Sequence, residues 1–286
     1  MLNDFLTVLG LVASSLLLGA GLLHLIPRLG SLGKRLAAAL CRAPWLDLPI
    51  TYFTAAPLFF GPIYAGWIGL LGAVCGQVAA VCIWTVLHEA ANRKRISGDR
   101  KHTRIVHVLN KKVGRFRNHS AVWITAGAVP IFWVVRVAQY LLWPPIRMLV
   151  RFPKYDAGEW VNCSRQKFEG LVGHDLIWCL YCDWMTGIWS LGTEMLRNVE
   201  SFWCPIRFQH DKKCANCAID FPDVNGGWVD ARSTMGDVAS TLDAKYPGPG
   251  GVNSWFGYQS RQAVLTVDGR TLADGQSQAG DAKPGP

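Results

Sequence analysis

The sequence predicts a mainly α-helical membrane protein: a bundle of about three to four transmembrane helices, followed by a small helical, cysteine-rich, metal-binding domain. Three observations lead there. Half of the 286 residues are hydrophobic and only 17% are charged, against roughly 25% in an average soluble domain. Apolar stretches long enough to cross a bilayer recur through residues 1–150. Six of the nine cysteines crowd into residues 163–217.

The charge is divided in the same way. Residues 1–150 hold 16 Lys and Arg against 4 Asp and Glu, a net of +12, while residues 151–286 hold 13 against 16, a net of −3; together they make the overall +9. Basic residues in short segments between apolar spans set topology and meet anionic head groups. The high pI of about 9.2 therefore points to the lipid bilayer as partner and not to nucleic acid. Three regions follow: a transmembrane domain over residues 1–150 with basic cytoplasmic loops, a Cys-rich domain over 151–230, and a Gly/Pro-rich segment over 231–286 expected to be largely disordered.

The first span covers residues 5–26. About 20 apolar residues suffice to cross roughly 30 Å of hydrocarbon, and Asn3 and Asp4 give no positive n-region for a signal peptide. Arg28, Lys34, Arg35 and Arg42 follow, which places the C-terminal end of this span in the cytoplasm. Residues 50–87 contain no Lys, Arg, Asp or Glu. They read as a helical hairpin turning near Gly66–Gly72, with a re-entrant break at Pro57 or Gly61-Pro62 as the alternative. Gly72, Gly76 and Ala80 share one helical face, suited to close helix packing. Residues 89–119 are polar and basic, a loop or a surface helix. The last apolar segment, 121–143, is interrupted by Pro130, carries Arg136 and ends at Trp143-Pro144-Pro145. An Arg in lipid is costly. The segment either crosses or dips and returns, and Arg147, Arg151 and Lys154 favour a cytoplasmic C-terminal domain.

Beyond it, Ile177, Tyr181, Trp184, Ile188, Leu191, Met195 and Val199 recur at steps of three and four, predicting one long helix over 168–200. Its Asp183 and Glu194 argue against a span and allow an interfacial position. Residues 263–269 read as a short hairpin.

The cysteines carry the chemistry. Cys41, Cys75 and Cys82 lie in or beside apolar segments and read as small buried hydrophobes. The other six, Cys163, Cys179, Cys182, Cys204, Cys214 and Cys217, include two C-x-x-C pairs. Cys179 and Cys182 share one side of a helix, and Lys212-Lys213-Cys214-Ala215-Asn216-Cys217 reads as a tight-turn knuckle. Four thiolates from two such pairs make a site for zinc or an iron–sulfur cluster, with Cys163 and Cys204 as further ligands and His174 and His210 as substitutes. The two metals are not separable on spacing. Three other readings compete: disulfides, if the domain lies outside the cytoplasm; a redox-active dithiol, which normally sits at a helix N-terminus; and buried free thiols.

No catalytic constellation stands out. His88-Glu89 begins like a zinc-peptidase helix, but Asn92 stands where a second His is required. His174 and Asp175 could act as base and acid, although helix capping is the commoner use. The expected function is a membrane-anchored thiolate metalloprotein, acting in electron transfer or as an accessory subunit of a membrane complex. The alternatives are a zinc-stabilised assembly module and a membrane-bound thiol–disulfide oxidoreductase.

Overall fold

The computed structural model of the chain describes residues 1–92, 104–152, 154–168, 170–220 and 224–245. The expected hairpin at 263–269 and the tail lie outside them. The described residues are mostly helical, and their only strand-like pairings are two isolated bridges, Arg42 with Asn162 and Ile206 with Val229. Three helices are long and apolar enough to cross a membrane: Leu2–Arg28, Asp47–Ala91 and Arg115–Val150. The chain divides into two compact units, one of Met1–Val137 with Asp156–Leu191, the other of Ala138–Tyr155 with the chain from Gly192 onward.

In the first unit, α1 (Leu2–Leu25) packs on a hairpin formed by α3 (Asp47–Ile50) and α4 (Ala56–Ala91). The second apolar helix is not straight. Ala65 and Gly66 leave helical geometry, Gly66 with φ 55°, a conformation glycine adopts without steric cost. A Cβ on Gly61 would lie 2.6 Å from the Gly69 carbonyl oxygen, although a straight helix would hold those residues about 12 Å apart. The Gln77 side chain donates to the carbonyls of Phe53 and Thr54 at 2.8 and 2.9 Å. The chain therefore reverses at Ala65–Gly66, the expected hairpin, with arms over residues 47–64 and 67–91.

Small residues let these helices touch. A Cβ on Gly72 would meet the Phe5 carbonyl at 2.9 Å, and one on Gly76 the Leu9 carbonyl at 2.9 Å, so the predicted small-residue face is the seam with α1. Rising numbers on α1 meet rising numbers on α4, and farther along His24 stacks on His88 at 5.2 Å between ring centroids. The second arm thus runs parallel to α1 and the first arm antiparallel to both. The ends following Leu25, preceding Asp47 and following Ala91 lie on one side of this bundle.

The prolines read as interruptions begin helices instead. α6 (Arg115–Ala126) and α7 (Val129–Leu141) meet at Gly127-Ala128, with Pro130 in the first turn of α7; α8 (Trp143–Val150) opens with Pro144 and Pro145. Proline's missing N–H costs nothing in a first turn, where no intrahelical partner exists. Arg136 is also accommodated. Its guanidinium donates to Asp47 Oδ2 at 3.1 and 2.8 Å, and Trp184 Nε1 donates to Oδ1 of the same carboxylate at 3.3 Å. Removing one partner of such a buried pair typically costs about 3–5 kcal/mol.

The long helix α10 (Gly173–Trp203) forms as expected, and its start is tied to the bundle end. Glu89 Oε1 accepts the His174 N–H at 3.3 Å and Arg104 NH2 at 2.7 Å. The two carboxylate oxygens of Asp175 accept the N–H groups of Ile105 and Val106 at 3.1 Å each, capping α5 (Ile105–Val113). His88 Nδ1 accepts the Gly173 N–H at 3.0 Å. Each acid thus satisfies the orphan donors of a helix other than its own.

In the second unit, Trp143 and Phe152 form a core with Ile146 and Val150 of α8 and with Met195, Val199 and Phe202 of α10. A separate small core joins Val224 and Trp228 to Phe208 and Cys217.

Candidate thiol site

The six predicted ligands fall in both units. Cys163, Cys179 and Cys182 belong to the first; Cys204, Cys214 and Cys217 belong to the second. Among the described residues no cysteine is in a disulfide, and no group of three or more His, Cys, Asp or Glu side chains is arranged to hold a metal ion.

The residues around Cys214 do not form a knuckle. They form the start of α11 (Asp211–Asp220), with Cys214 its fourth residue and Cys217 one turn on. The reason is local. His210 closes the helix end: its carbonyl accepts the Cys214 N–H at 2.9 Å and its Nδ1 accepts the Lys213 N–H at 3.3 Å. Asp211 in the first turn suits the positive end of the helix dipole. A C-x-x-C at a helix start is the placement that redox dithiols use.

The decisive partner is Arg207. Its Nε and NH2 donate to Cys214 Sγ at 3.4 and 3.2 Å, a fork of two N–H groups on one sulfur. Main-chain bonds hold Arg207 in place: its N–H donates to the Val229 carbonyl at 2.8 Å, and the Val229 N–H donates to the Pro205 carbonyl at 2.7 Å. Gln209 Nε2 reaches the Ala231 carbonyl at 3.0 Å. Lys213 Nζ lies 3.9 Å above the Phe208 ring.

Beside Arg207 opens a cleft of about 330 Å³, lined by Glu200, Cys204, Ile206, Arg207, Phe208, Gln209 and Trp228. Cys204 is exposed there. Cys217 packs against Val224 and Trp228. Trp228 is fixed by its Nε1–H, which donates to Ser201 Oγ at 2.9 Å. The cleft thus exposes the Cys204 thiol beside Arg207, whose guanidinium also contacts Cys214.

Compared with protein families, curated proteins and solved structures, the chain finds no match.

The first unit holds a second set of thiols in a different setting. Cys163 is buried, with Sγ 3.9 Å from the Leu180 carbonyl, and burial pushes its thiol up to about 12. Its N–H donates to the Cys41 carbonyl at 2.8 Å, and Gln166 Nε2 donates to Cys41 Sγ at 3.3 Å. Cys41, read from the sequence as an inert flanking thiol, is thus a near neighbour of Cys163, and burial raises its pKa as well. Cys179 and Cys182 lie in the interior of α10. Arg165 reaches Cys182, but its Nε is 2.9 Å from Asp183 Oδ1, which neutralises much of its charge.

Sequence reading missed Arg207. Seven residues separate it from Cys214, and no spacing rule links a basic residue in an extended segment to a thiol in the next helix. The Lys212-Lys213 pair was the visible part of the signal.

Proposed function

We propose that the chain is a multi-pass membrane protein whose C-terminal portion carries a redox-active dithiol, Cys214 with Cys217, exchanging electrons with a partner disulfide. The two-nitrogen contact of Arg207 with Cys214 Sγ, at a helix start, is the observation that carries this reading. In the exchange, Cys214 thiolate attacks one sulfur of the partner disulfide, forming a mixed disulfide and releasing the other partner sulfur as thiolate. Cys217 then gives its proton to solvent and attacks Cys214 sulfur. The second partner thiolate leaves, a Cys214–Cys217 disulfide forms, and two electrons have passed to the partner.

The topology supports a cytoplasmic site. Arg147, Arg151 and Lys154, which precede the second unit's site in the sequence, favour a cytoplasmic position by the positive-inside rule. Cytosolic thiols are kept reduced, and a dithiol there is more often catalytic or metal-binding than structural.

A second reading is a thiolate metal site holding zinc or an iron–sulfur cluster, in electron transfer or as an accessory subunit. It is favoured by Cys214 and Cys217 lying one helical turn apart, so that the pair presents two sulfurs to one side.

The test is a redox titration of purified protein in nanodiscs, followed by mass spectrometry of alkylated cysteines. A reversible two-electron couple confined to Cys214 and Cys217 is expected. A stoichiometric metal on anaerobically purified protein, lost when these residues are replaced by Ser, would move the function to the metal reading.

A further inference from the structure

The second unit buries charge and exposes hydrocarbon. In the last three turns of α10, Glu194 and Arg197 are each 1% exposed and Asn198 and Ser201 are 0% exposed, while Leu196 and Trp203 on the same turns are 56% and 57% exposed. On α8, which packs against this part of α10, Met148 and Leu149 are 79% and 80% exposed. A helix in water does the opposite. Scattered exposed leucines mean little, but buried charges beside exposed large apolar side chains are informative.

The buried groups bond to one another. Tyr155 Oη donates to Glu194 Oε1 at 3.2 Å, and the Asn198 side-chain amide contacts Tyr155 Oη. Asn198 Nδ2 also donates to the Glu194 carbonyl at 3.1 Å, and Arg197 NH1 donates to Asn198 Oδ1 at 3.3 Å. Polar side chains turned inward and bonded to each other, with apolar ones turned outward, are how ionisable residues are carried in a membrane.

The geometry points to the α8–α10 pair as a membrane-embedded element, with Met148, Leu149, Leu196 and Trp203 against lipid acyl chains. The occupant follows from continuity. α8 ends the segment Arg115–Val150, which is long and apolar enough for a bilayer. Trp203 at the end of α10 is a residue type enriched at the head-group boundary, and Arg147 and Arg151 beside Met148 and Leu149 can reach lipid phosphates. Hydropathy alone misses α10, because Asp183, Glu194, Arg197 and Glu200 lower its average although the structure turns Asp183, Glu194 and Arg197 away from the surface. The last three turns of α10 thus lie in the bilayer although hydropathy does not mark them as a span.

The experiment uses the full-length chain in native membranes, with the photo-crosslinking residue p-benzoyl-phenylalanine incorporated in turn at Met148 and Leu196. Leu11 serves as a lipid-facing reference and Arg232 as a water-facing one. Phospholipid adducts at 148 and 196, in yields within about twofold of Leu11, are expected. Adducts at neither position, as at Arg232, would overturn the inference. So would a protein adduct at both, whether a second copy or another polypeptide.

Discussion

The two C-x-x-C pairs have the same spacing and opposite circumstances. Cys179 and Cys182 lie inside a long helix, where neighbouring amides are already used by carbonyls one turn back. The nearby Arg165 is held by Asp183 at 2.9 Å. Cys214 is the fourth residue of a ten-residue helix and Cys217 the seventh, and Arg207 contacts Cys214 with two nitrogens. The motif supplies two sulfurs on one side of a helix; position in the helix and the fate of the nearest arginine decide what they can do.

The comparison breaks most directly by substitution. The double variant Cys214→Ser, Cys217→Ser is expected to abolish the two-electron couple, while Cys179→Ser, Cys182→Ser leaves it intact. Redox titration checks both, and loss of the couple in the second variant alone would reverse the assignment. Next in size, Arg207→Ala should slow iodoacetamide labelling of Cys214 near neutral pH by about tenfold, with the helix retained by circular dichroism. Arg207→Lys should recover only part of that rate, since one ammonium cannot reproduce a planar fork. Asp183→Asn sharpens the contrast from the other side: with Arg165 released from its carboxylate, Cys182 labelling should rise about two- to threefold.

The smallest effect concerns Cys163. Burial raises its thiol from 9.0 to about 12, so the folded state holds the proton where the unfolded chain releases it. The stability this contributes is present below about pH 9 and is lost as pH climbs toward 12. The midpoint of thermal unfolding should therefore drop as pH rises above about 9, and Cys163→Ala should flatten that decline. An unchanged slope in the variant would show that another group governs alkaline unfolding.

Much of the scaffold was legible because its signals are local. The apolar runs, the turn near Gly66, the Gly72–Gly76–Ala80 face and the three-and-four rhythm of the long helix each lie within a window of a few turns. Polar contacts between distant segments were not. Arg136 read as a flaw until Asp47 and Trp184 were seen around it, and the role of Arg207 depends on a bridge to Val229. Pro130, Pro144 and Pro145 misled for a simpler reason. A proline marks a boundary without saying which side of it the helix occupies, and here the helices begin where endings were expected.

The exchanged caps at the bundle end set an order of assembly. Asp175 completes the start of a helix that left the ribosome 70 residues earlier, and Glu89 waits 85 residues for the amide it holds. A nascent chain halted before Gly173 has all three apolar helices but lacks both closures. One short stretch, Gly173-His174-Asp175, thus both closes the end of the bundle and begins the long helix.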